Sequence, residues 1–107
     1  LFHYKRYWGV GGNPADSVDS TFLLALAGSE LGDSKAKTFT VNAAAGQYIW
    51  YAIPHSFGTP TFKVGGFEGG FNLVKTFDHT NASGATVSYD VWQSTNAGLG
   101  NTTVNAA

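Results

Sequence analysis

The chain has no cysteine, so any chemistry must come from three histidines, seven carboxylates, its hydroxyls and its aromatic rings. His3, His55 and His79 fall in separate segments. No H-x-H or H-x3-H spacing brings two imidazoles to one face, so no metal site is expected unless a threefold axis gathers one histidine from each copy. Asp16 and Asp19, in ADSVDS, have oxygens that calcium would accept, but outside any EF-hand pattern they read as helix caps and dipole partners. Glu68 lies among aromatics in FEGGF, a setting that raises a carboxyl pKa. It also sits in an expected turn, open to water. Glycoside hydrolysis needs a second carboxylate roughly 5–9 Å away, and nothing pairs with Glu68 in the sequence. No G-x-S-x-G elbow is present, and GVGG (9–12) and VGGFEGG (64–70) lack the Lys-Ser/Thr of a phosphate loop. No catalytic residue, metal or cofactor is predicted. The expectation is a protein that binds or builds.

Aromatic rings carry the binding argument. Trp8, Trp50, Tyr51, Phe67, Phe71 and Trp92 exceed what strand alternation needs for a core, and rings with a polar edge stack well on the apolar faces of sugars. Tyr51 and Trp92 lie opposite the more regular apolar face of their strands, so both are expected to be exposed. The predicted carbohydrate- or receptor-binding residues are therefore Tyr51, Trp92, Trp50 and Trp8. The competing use of the same rings is to fill the core and a subunit interface.

The elements that would position them are mostly strands. Residues 2–8 alternate, with Phe2, Tyr4, Arg6 and Trp8 on one face and His3, Lys5 and Tyr7 on the other. After a loop at 9–17, residues 19–31 (DSTFLLALAGSEL) carry a 3.6-residue period through Phe22, Leu23, Leu26, Ala27 and Glu30. This predicts the one helix, capped by Asp19 or Ser20 and stopped at Gly32. Strands follow at 37–42 and 47–53, the second apolar on both faces as a doubly covered central strand must be. Pro54 ends it. Residues 61–67 and 71–77 flank Glu68-Gly69-Gly70 as a predicted hairpin. Asn81–Gly84 turns into strand 85–93, and 96–100 turns into strand 101–105. The sum is mainly β: an antiparallel β-sandwich of about seven strands with one short helix near the N-terminus.

A length of 107 residues, 43% of them hydrophobic, fits a single domain over 1–107 with a modest core. A chain this short buries only roughly 65% of its unfolded surface, so self-association would add stability. Charged residues are 12% and the net charge is -1, which excludes an electrostatic footprint for nucleic acid. No apolar run is long enough to span a membrane, and FLLALA (22–27) is far too short. The chain has no methionine and starts at Leu1, as expected of a C-terminal piece of a longer protein.

Four stretches together resemble a small β domain that recurs in virion structural proteins of tailed bacteriophages, tail fibres in particular. They are KTFTVNAAAGQYIWYAIP (37–54), VGGFEGGFNLV (64–74), TNASG (80–84) and NAGLGNTTV (96–104). RYWGV (6–10) before the helix adds to the resemblance. It implies a tail fibre distal domain on the virion, a homotrimer that attaches to a bacterial surface polysaccharide or receptor without cleaving it. A structural virion domain that only holds its neighbours is the alternative, with a polysaccharide-degrading enzyme behind both. No binding residue transfers through the resemblance.

Overall fold

A computed structural model describes residues 4–10, 17–32, 36–64, 67–100 and 102–105, with the backbone alone at 67–68. Two antiparallel sheets face each other as a sandwich, without closing into a barrel. The strands are β1 (Tyr4–Val10), β2 (Gly28–Gly32), β3 (Ala36–Phe39), β4 (Gln47–Pro54), β5 (Thr61–Val64), β6 (Phe67–Glu68), β7 (Phe71–Thr80), β8 (Thr86–Ser94) and β9 (Thr102–Asn105). The larger sheet has the order β2-β1-β4-β8-β7, and the smaller β3-β9-β5-β6, where β6 is a two-residue rung. Helix α1 (Ser20–Leu24) covers the outer face of the larger sheet, so the molecule has three layers.

Strand β4 explains the layering. Its odd residues, Ile49, Tyr51 and Ile53, point into the core between the sheets with Tyr4, Phe39, Phe62 and Val104. Its even residues, Trp50 and Ala52, join Tyr7, Val18, Leu23, Tyr89 and Val91 under the helix. A strand buried on both faces must be apolar throughout, as the sequence predicts. The core between the sheets is largely aromatic. Phe62 stacks on Phe71 with centroids 4.5 Å apart, and Tyr51 meets Phe62 at 5.2 Å and Phe39 at 5.5 Å. Such pairs add about 0.5–1.5 kcal/mol each beyond their buried area.

Two expectations need correction. The helix at 19–31 stops at Leu24: Asp19 caps it, accepting the Phe22 amide at 2.9 Å, and Gly28–Gly32 instead forms edge strand β2 against β1. The pairing places Gly28 opposite Trp8 and Gly32 opposite Tyr4. Both rings lie over the bare glycine backbone, so a Cβ on Gly32 would come within 2.3 Å of the Tyr4 ring. Aromatic cover of edge glycines holds the strand where apolar alternation is absent. The expected hairpin across Glu68–Gly70 is also not a ladder. Strand β5 turns back on β6, while β7 belongs to the other sheet, and Gly69 and Gly70 (φ 100° and 83°) carry the chain between sheets. Likewise β8 and β9 follow one another in sequence but lie in different sheets. The TNASG turn does close a hairpin, with β7 and β8 paired up to Thr80↔Thr86 and Gly84 at φ 89°.

Candidate functional site

The aromatic residues predicted to meet a ligand hold the sandwich together. Tyr51 and Trp50 are buried, at 0% and 1% exposed, the first between the sheets and the second beneath α1. Trp8 and Trp92 are half-buried and pack against the edge of the core between the sheets. The expected exposure of Tyr51 fails because the smaller sheet covers that face of β4. The indole N–H groups of Trp50 and Trp92 meet no acceptor among the described residues. His3, Asp16 and the side chains of Phe67 and Glu68 lie outside the described residues.

A different set of rings lines an open cleft of about 370 Å³ on the outer face of the larger sheet. The strand order β1-β4-β8-β7 puts Tyr7, Tyr89 and Phe77 on one face of the sheet, where all three line the cleft although they come from distant parts of the chain. Phe77 stands opposite Tyr89 in the ladder, with ring centroids 6.1 Å apart. Helix α1 forms one wall through Leu23 and Leu24, and Ser20 adds a hydroxyl at its start. Lys5 edges the cleft from β1, and His79 and Asn81 edge it from the end of β7. Burial pushes the Tyr7 phenol above its ordinary pKa, and the nearby Tyr89 adds to this; burial alone raises Tyr89. Both residues are buried, and their rings form the floor of the cleft. An apolar floor with a few polar groups at its rim is the usual form of a small-ligand site. The sequence signal for it is slight: Lys5 and Tyr7 alternate away from Arg6, and Val87 and Tyr89 share a face.

A second cluster involves His55. Its Nδ1 lies 3.0 Å from both carboxylate oxygens of the buried Asp90, and Thr76 donates its hydroxyl to the same carboxylate at 2.8 Å. This is how a carboxylate orients a general-base histidine. No nucleophilic side chain is bonded to His55 among the described residues, and no three metal-ligating side chains gather there or elsewhere among them. The cluster fastens the turn at His55–Phe57 to β8.

The third polar feature is hidden. Arg6 is 0% exposed, and its guanidinium nitrogens find no hydrogen-bond partner among the described residues. The rings of Trp8 and Phe39 lie 5.4 Å and 5.7 Å from the guanidinium carbon, in cation–π range. Burial lowers its pKa, against the opposing influence of Tyr51 and Glu30.

No family model, no curated protein and no solved structure matches this chain.

Proposed function

We propose that this domain is a non-hydrolytic glycan-binding module: the distal, host-attachment domain of a tail fibre, working as a homotrimer on a bacterial surface polysaccharide. The observation that carries the reading is the cleft floored by Tyr7, Phe77 and Tyr89, with hydroxyl, amide, imidazole and ammonium groups around it. Rings flanked by polar groups suit a pyranose, whose faces are apolar and whose edge is hydroxylated. Among the described residues no carboxylate lines the cleft, whereas hydrolysis by the usual route needs two. Exposed Val10 and Leu73, at 76% and 49%, lie outside the cleft and offer apolar surface for subunit contact.

The test is a chemical-shift titration of the isotope-labelled domain with neutral and acidic oligosaccharides, alongside light scattering. Shifts confined to β1, β7 and β8 around the cleft, weakened by Phe77→Ala in a folded protein, are expected. No shift at millimolar saccharide, or shifts centred on Trp8 and Trp92, would overturn the reading. A second reading, a virion domain that only holds neighbouring subunits, is favoured by Leu24, 72% exposed at the cleft wall. It requires Leu24→Glu to dissolve the oligomer of a protein that binds no sugar.

A further inference from the structure

Resting on the glycan reading, we infer that the cleft selects a saccharide bearing a carboxylate, a uronic-acid type of sugar, with Lys5 as the residue that recognises the acid group. Lys5 stands on β1 between Leu31 of β2 and Ala52 of β4, half-buried beside apolar neighbours. It takes part in neither of the ion pairs found among the described residues, Lys37 with Glu30 and His55 with Asp90. Asp19, at the start of the helix, has one oxygen committed to the Phe22 amide as a helix cap. Among the described residues the cleft lining thus holds an ammonium group and an imidazole with no acidic residue to compete for them. A partly desolvated cation without a counter-charge is costly, and an anionic group on the ligand relieves that cost. One lysine in an apolar frame, with no arginine fork and no cluster of backbone amides, matches a single carboxylate better than a phosphate dianion. The position also sets the ligand's length. Lys5 is in line with Ala52, Val91 and Lys75, so His79 lies three strand steps across and four residues along, about 14 Å by about 13 Å at the usual strand dimensions, and one sugar ring cannot touch both. An oligosaccharide is required, with its acid at the Lys5 end and a hydroxylated ring towards Phe77 and His79.

The test uses the whole chain and a panel of galacturonate, glucuronate and mannuronate oligosaccharides, each paired with its uncharged methyl ester, measured by calorimetry. Glucose 6-phosphate against glucose serves as the phosphate control. A charge-assisted hydrogen bond predicts that at least one acid binds roughly ten-fold tighter than its own ester at low salt. The preference should shrink in 0.5 M NaCl and vanish in Lys5→Gln, where acid and ester should bind alike. An ester that binds as tightly as its acid overturns the inference and leaves the glycan reading standing. A Lys5→Gln loss equal for acid and ester, or a larger gain from phosphate than from carboxylate, overturns it too. No binding by any acid or ester overturns the inference and the glycan reading together.

Discussion

Replacing Gly32 with alanine should destabilise the fold far more than the same change at Gly28, and the contacts say by how much. Neither glycine has a positive φ, so alanine fits both backbones and recovers about 0.4–1 kcal/mol of unfolded-chain entropy. At Gly32 the new Cβ would sit 2.3, 2.4 and 2.6 Å from three atoms of the Tyr4 ring, over 1 Å inside normal carbon–carbon contact. That ring is 0% exposed and meets Phe39 edge-on at 6.0 Å, so it cannot yield without disturbing the core between the sheets. Overpacking of this kind costs about 1–3 kcal/mol, and the absence of slack places Gly32→Ala near the upper end. The net loss is about 2 kcal/mol, a fall in Tm of roughly 8–16 °C for a domain of this size. At Gly28 the obstruction is Trp8, at 2.5 Å, but that ring is only half-buried and can swing outward, so the net loss stays under about 1 kcal/mol. Urea and thermal unfolding of the two variants measure this directly. Tyr4→Leu in the Gly32→Ala background should recover part of the loss, giving a coupling above about 0.5 kcal/mol. A Gly32→Ala protein as stable as the parent, or less affected than Gly28→Ala, would refute the argument.

Three further outcomes are expected. Arg6→Met should hold or raise stability, by up to about 4 kcal/mol, because an apolar side chain of similar length removes a buried charge whose polar neighbours among the described residues, Tyr51 and Glu30, offset its desolvation only in part; a loss above 1 kcal/mol in chemical denaturation would show that these neighbours and the cation–π contacts dominate. Phe62→Ala should cost about 3–5 kcal/mol, since Phe62 contacts Tyr51, Phe71 and Trp92 at once, and retained near-ultraviolet circular dichroism with a loss below 1 kcal/mol would contradict that. Stability should be level up to about pH 10 and then fall, because Tyr7, Tyr51 and Tyr89 have pKa values raised by burial, while in the unfolded chain they ionise near pH 10. Arg6, displaced the other way, stays charged in that range. Absorbance at 295 nm should show these three phenols ionising above the ordinary tyrosine range, and all five tyrosines ionising with the ordinary midpoint near pH 10 in a folded protein would falsify the assignment.

Much of the architecture was legible because burial leaves a mark on side-chain type. Strand β4 is apolar on both faces since both are covered, and the β7–β8 turn announces itself through Asn81, whose side-chain oxygen accepts the Ser83 and Ala85 amides. Strand β2 was not legible. Gly-Ser-Glu-Leu-Gly has no alternating apolar pattern, and its glycines make sense only once the rings of Trp8 and Tyr4 lie over them. Its Glu30, with the preceding FLLALA, extended the helical period past the point where α1 ends. The cleft was illegible for a topological reason. Tyr7, Phe77 and Tyr89 line one cleft because the sheet has the order β1-β4-β8-β7, which no local pattern encodes. Rings read as surplus to the core were in fact needed twice, since β4 supplies two cores from one strand.

The position of β9 bears on how the molecule comes into being. It lies between β3 and β5 in the smaller sheet, and Thr38 of β3 bonds to Thr103 of β9 across 65 residues. On a ribosome, β3 and β5 leave the tunnel long before the strand that joins them. At about 5–20 residues per second, β3 waits several seconds or more with one side of the aromatic core uncovered. The five-stranded sheet can zip up meanwhile, since every one of its strands precedes β9. Assembly therefore ends with the insertion of a middle strand, as a keystone is set. A nascent chain paused before residue 102 would be the form most prone to stick to its neighbours, and the natural client of a chaperone.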